Sequence, residues 1–119
     1  MLTAGKATQF AEEWIAAWNN HDLDRIVAHY SDDIIFSSSF VASVGGVTTG
    51  CLCGREALEM YFRAALSKFP SLRFELRIVF HGMDALTIIY KSATDLLAAE
   101  TMVLSDDFHI TRVWAQYDK

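Results

Sequence analysis

Pro70 divides the chain into two stretches with different hydrophobic periods. Before it, apolar residues recur every three to four positions, the repeat of a helix with one buried face. After it, they recur at every second position, the repeat of a strand with one buried face. Helices therefore come first and strands follow, joined by short turns that favour antiparallel neighbours. That segregation is the α+β pattern rather than βαβ alternation. At 119 residues the chain is expected to be one domain, residues 1–119, able to bury a real core without disulfides or metal.

The first helix is predicted over residues 3–19, with Phe10, Trp14, Ala17 and Trp18 on one stripe. Asn19-Asn20-His21 stops it. Asp22 is a suitable N-cap for a second helix over residues 23–30. Ser31-Asp32-Asp33 reads as a turn and residues 34–40 as a strand. Residues 41–54 hold four of the six glycines and show no period; a flexible loop or a short irregular hairpin both fit. A third helix spans residues 54–69 and ends before Pro70, because proline disfavours helical geometry in the residue it follows. Four strands are predicted after it, over residues 72–80, 85–92, 97–104 and 108–117. In the first, Leu72, Phe74, Leu76, Ile78 and Phe80 are expected to face inward, and Arg73, Glu75 and Arg77 to face water.

Charge and composition narrow the partners. The formal net charge is −5, and the basic residues cluster only weakly, at Arg73 and Arg77 with Glu75 between them. An acidic surface repels phosphate backbones, so no nucleic-acid partner is expected. No apolar run approaches the ~20 residues of a membrane span, and the first residues lack a signal-type apolar core. No membrane partner and a cytoplasmic location are expected. Cys51 and Cys53 are too few and too close for a disulfide framework. His21, His29, His81 and His109 show no ligand spacing, so neither a metal nor another cofactor is expected.

A curved sheet covered on one side by three helices leaves a cone with an open wide end. Aromatics make up 13% of the chain, more ring surface than a small core requires, which suggests an aromatic-lined cavity. Apolar residues on both faces around Ile88/Ile89 and Val113/Trp114 suggest a second buried surface, hence a homodimer.

The tryptophan-bearing helix from Phe10 to Trp18, followed by Asn19, by Asp22-Leu23-Asp24 and by Ser31-Asp32-Asp33, resembles the opening of the nuclear transport factor 2-like (SnoaL-like) superfamily. Gly54-Arg55-Glu56-Ala57-Leu58, Asp84-Ala85-Leu86-Thr87-Ile88 and residues 110–117 continue the likeness over nearly the whole chain. The resemblance implies a cone-shaped curved antiparallel sheet wrapped around three N-terminal helices. It also implies a pocket for a small, mostly apolar or aromatic molecule, in a family that includes ketosteroid isomerases, polyketide cyclases, a dehydratase and an epoxide hydrolase. The fold hosts unrelated chemistries and plain binders, so a non-catalytic ligand-binding or protein-interaction module is the alternative.

Carried over residue by residue, the isomerase's tyrosine falls on Trp14, its base on Ser38 and its acid on Glu100. Trp14 has one N–H and no phenol, and Ser38 cannot abstract a carbon-bound proton, so that chemistry is not expected intact. The epoxide hydrolase's Asp-Arg-Asp set has no counterpart. Glu100, within Ala98-Ala99-Glu100-Thr101-Met102, is the candidate catalytic acid–base. In a cavity its carboxyl would be pushed up, whereas a pairing with Lys91 across the hairpin would hold it down. Trp14, Tyr30, Phe40, Tyr61 and Tyr90 are expected to ring the ligand, with Ser38 and Met102 completing the wall.

Overall fold

The computed structural model describes residues 2–119. The first helix, α1 (Ala4–Asn19), is capped by Thr3, whose hydroxyl accepts the Lys6 N–H at 3.2 Å. Asp22 caps α2 (Leu23–Val27) in the same way through the Arg25 N–H. The chain continues through β1 (Tyr30–Ser38), α3 (Ser39–Ser43), β2 (Cys51–Cys53), α4 (Arg55–Lys68), β3 (Glu75–His81), β4 (Ala85–Lys91), β5 (Leu97–Leu104) and β6 (Ile110–Tyr117). One curved, unclosed sheet runs β2-β1-β6-β5-β4-β3. Every neighbouring pair is antiparallel except β1 with β6, which is parallel and closes the long connection between the ends of the chain. Ala11, Trp14 and Trp18 of α1 and Leu58 and Phe62 of α4 bury their apolar face against Leu86, Ile88, Met102 and Val113 of the sheet.

Four local departures from the periodic reading have physical causes. The second helix stops three residues early because Tyr30 is drawn into the sheet, where it pairs with Ile110. The expected turn at Ser31-Asp32-Asp33 is an irregular stretch of β1, held by Arg55, which donates to the Tyr30 carbonyl at 3.1 Å and pairs with Asp32. Phe40 leaves the strand for α3, because the Ser38 hydroxyl caps the Phe40 N–H. Residues 41–54 take the hairpin alternative, returning as β2 against β1. Gly45 is needed there: a Cβ would meet the Val41 carbonyl oxygen at 2.8 Å.

The fourth departure sits in the strand after Pro70. Leu72 and Phe74 are buried, but α1 holds them rather than a neighbouring strand. Asn19 donates to the Phe74 carbonyl at 3.0 Å and accepts its N–H at 2.7 Å, while the His21 ring lies 2.8 Å from the Leu72 carbonyl. Pairing begins only at Glu75, and a bulge at Arg77 then shifts the register between Leu76 and Ile78. A bulge reverses which alternate residues face inward. Val79 turns toward the core instead of Ile78 and Phe80, which are 50% and 56% exposed.

Candidate functional site

The concave side of the sheet and the inner faces of α1 and α4 leave a cavity of about 90 Å³. Its wall is mostly aromatic: Trp18 from α1, Tyr61 and Phe62 from α4, Phe74 before β3, Tyr90 from β4 and Tyr117 from β6. Ser92, Ala93 and Thr94, in the turn between β4 and β5, border it as well. Among the described residues, Glu100 is the one carboxyl in this wall, which holds no lysine, arginine or histidine.

Glu100 reaches the cavity because β5 alternates cleanly. Ala98, Glu100, Met102 and Leu104 point inward, and Thr101 and Val103 outward. The side chain is only 5% exposed. Tyr90 Oη donates to its Oε2, and Oε1 is buried with no hydrogen-bond partner. Burial pushes the carboxyl up to about 7, and the Tyr90 hydrogen bond holds it slightly down. Lys91 does not contribute: it follows Tyr90 on β4 and so points to the opposite face of the sheet, where it pairs with Asp95 at 2.9 Å.

The chain has four tyrosines, and Glu100 acts electrostatically on all of them. Burial, reinforced by the Glu100 charge, raises Tyr61 to about 12 and drives Tyr30, Tyr90 and Tyr117 further up. At neutral pH each therefore keeps its proton and can only donate or accept a hydrogen bond. The carboxyl is the sole group here that changes charge near neutrality.

Of the positions expected to contact a ligand, Phe40, Tyr61, Tyr90 and Glu100 reach the cavity wall. Trp14, Tyr30 and Met102 do not; they are packed one layer behind it. The Trp14 indole is covered by Phe74, Tyr90 and Trp18, and its N–H donates to Tyr30 Oη at 3.0 Å. Trp18, one helical turn later, has the wall position instead. Its N–H is close enough to Tyr30 to favour the ionised phenol but falls short of hydrogen-bond geometry, so it too is buried without a partner. Ser38 is not among the wall residues, but its buried hydroxyl, which caps α3, stands beside the Tyr61 and Tyr117 phenols and favours their ionised forms. Tyr117 and Phe74 were not singled out from sequence. Tyr117 could have been, since it follows Val113 and Ala115 in the inward alternation of the last strand.

Among the described residues, no three His, Cys, Asp or Glu side chains gather where they could hold a metal ion. Cys51 and Cys53 are free thiols on the edge strand β2. The His29 side chain is mostly buried against Phe10, with its ring bonded to the Arg25 carbonyl at 2.9 Å. No helix among the described residues is long and apolar enough to cross a membrane.

Comparison with known proteins places this geometry. A SnoaL-like protein of unknown function from Burkholderia thailandensis is 38% identical, with 98% of each chain covered and a TM-score of 0.94. An epoxide hydrolase/cyclase-like enzyme, SalBIII, with a role in pyran ring formation in the polyether salinomycin, is 15% identical. The match covers 98% of this chain and 94% of that one, with a TM-score of 0.78. A protein of unknown function with a cystatin-like fold from Methylobium petroleophilum is 14% identical, covering 99% and 79%, with a TM-score of 0.75. At those lower identities the likeness concerns the fold alone. No curated protein matches the chain. The SnoaL-like domain family matches residues 11–113, most of the chain, and the protein belongs to that family.

Proposed function

We propose that the aromatic cavity binds a small, mostly apolar molecule and that Glu100 exchanges a proton with it, in a reaction of the isomerase, cyclase or dehydratase type. The observation that carries this reading is the carboxyl itself: buried in an apolar wall, with one oxygen engaged by Tyr90 and the other free. A free polar atom in a dry wall is costly to keep unless something pairs with it. A carboxyl held at about 7 is divided between acid and base at neutral pH, the condition for efficient proton transfer in either direction. SalBIII, named as cyclase-like, is similar in fold and supports the choice of reaction class only by analogy.

The test is a soak of crystals with single-ring aromatic and alicyclic compounds, with Trp18 fluorescence followed in solution. Compounds that occupy the cavity should quench Trp18, and Trp18→Phe should abolish the response. If none enters the cavity, the reading fails. Once a turned-over compound is found, Glu100→Gln should keep its binding within a few-fold and remove turnover.

The outer face of the sheet supports a second assembly. Ile78 and Phe80 of β3 and Trp114 of β6, 42% exposed, leave apolar area on a face whose middle is lined by Thr87 and Thr101. We propose that this face pairs with a second copy of the chain, through rings at its two ends.

A further inference from the structure

The charge arrangement around Glu100 speaks to the chemistry of the ligand. Resting on the pocket reading above, we infer that the cavity takes a compact alkyl- or cycloalkyl-ammonium, its charge paired with the Glu100 carboxylate and its hydrocarbon body lying among the rings.

Three features of the wall lead there. The first is the missing counter-charge. Tyr90 of β4, Tyr30 of β1, Tyr61 of α4 and Tyr117 of β6 surround the carboxyl, and all hold their protons. Among the described residues, no lysine, arginine or histidine lines the cavity. Lys91 is bound to Asp95, and Arg112 is spent on the Ile35 carbonyl, the Ser37 hydroxyl and the Trp114 ring. A buried carboxylate without a counter-ion is strongly disfavoured, so a cation is the occupant that relieves it most. An anion is repelled, and a neutral acceptor is served only by the protonated carboxyl.

The second feature is the set of ring faces. The rings of Trp18, Tyr61, Phe62, Phe74, Tyr90 and Tyr117 line the cavity, and a cation over the negative face of such a ring is attracted more than a neutral group of equal size. The third is volume. An apolar cavity of ~150 Å³ takes up benzene. This cavity, about 90 Å³ and open to solvent on one side, takes the body of a small ring or short branched chain with part of it at the mouth. The overall charge of −5 favours approach of a cation as well.

The experiment uses cyclopentylamine and its neutral relative cyclopentanone, titrated into the labelled protein at pH 6 and pH 8. Amide and indole resonances of Trp18, Tyr90 and Glu100 are followed by NMR. Alkylamines stay protonated across this range, as lysine does. Only the carboxyl then changes, and its ionised fraction rises ~10-fold between the two pH values if it titrates at about 7. The expected result is cyclopentylammonium binding that tightens ~10-fold from pH 6 to pH 8. Glu100→Gln should weaken it by ~10-fold or more and flatten the pH dependence, while Glu100→Asp, which keeps the charge, should retain the preference for the amine. Tighter binding of cyclopentanone, weakening as pH rises, would overturn the ammonium and leave the pocket reading standing. Failure of both compounds to shift Trp18 would overturn the two together.

Discussion

Replacing Glu100 by Gln isolates the titration of a single buried carboxyl. Its folded-state value is about 7 against an ordinary 4.5, so the folded protein holds this proton more tightly than the unfolded chain does. Stability falls with pH wherever the native state binds more protons. The contribution is therefore most favourable below about 4.5, declines between 4.5 and about 7, and levels off above. At ~1.4 kcal/mol per pH unit, the full decline is about 3 kcal/mol, of which about 2.5 kcal/mol lies between pH 5 and pH 8. Gln keeps an oxygen for the Tyr90 hydroxyl and cannot ionise. It adds a buried N–H donor without a partner, which costs about 1–3 kcal/mol at every pH. The absolute stability of the variant is thus set by that offset, but its pH dependence is not. Urea unfolding of both proteins at pH 5 and pH 8 gives a double difference from which all other titrations cancel. The variant should gain on the parent by about 2.5 kcal/mol across that interval. Parallel curves, within about 0.5 kcal/mol, would refute desolvation as the dominant influence on this carboxyl.

Tyr90→Phe removes the one hydrogen bond that favours ionisation, so the Glu100 carboxyl should titrate still higher by NMR; a fall would mean that water replaces the phenol. Trp14→Phe leaves Tyr30 without the indole donor in a dry environment and should lower stability by about 1–3 kcal/mol in urea unfolding, while cavity ligands bind as before. Asn19→Ala breaks both hydrogen bonds to the Phe74 backbone and should cost about 2–3 kcal/mol by the same measurement, because two buried backbone groups lose their partners. Sedimentation should show a dimer at micromolar concentration that Phe80→Glu together with Trp114→Glu converts to a folded monomer; a monomeric parent protein refutes the pairing of the outer faces.

The class of fold was legible because the hydrophobic period is a local property. The 3.6-residue stripe of α1 and the alternation in β5 each follow from neighbours a few positions apart. What could not be read depends on partners far along the chain. Tyr30 joins the sheet because Ile110, eighty positions on, offers a parallel edge. Leu72 and Phe74 look like strand residues by pattern, yet Asn19 and His21 hold them. The bulge at Arg77 carries no glycine or proline signal, so the outward turn of Ile78 and Phe80 has no local mark. The same limit governs the site. Glu100 was visible as a lone carboxylate in an apolar strand, although two alternatives for its surroundings were open. Trp14 and Trp18 share one helical stripe, and period alone cannot decide which of them is covered by other rings and which is left at the cavity.

The tyrosines show what convergence adds to such a pattern. They come from β1, α4, β4 and β6, four elements that no window of sequence brings together, and they meet around one acid. None can accept a proton as base near neutrality, and among the described residues no second carboxyl lines the wall. Under the proposed function, a proton taken from a bound molecule by Glu100 has one short return path, back to that molecule at another atom. Moving that proton to another atom of the molecule, or passing a proton taken from carbon to the hydroxyl that departs as water from the neighbouring carbon, returns a single carboxyl to its starting state. A hydrolysis in which one group activates water while another protonates the leaving atom is not served by a single carboxyl, since two groups must act at once. The tyrosine ring thus favours isomerisation or elimination over hydrolysis for this cavity. Solvent deuterium appearing in product more slowly than turnover would support that direct return; full exchange at every turnover would refute it.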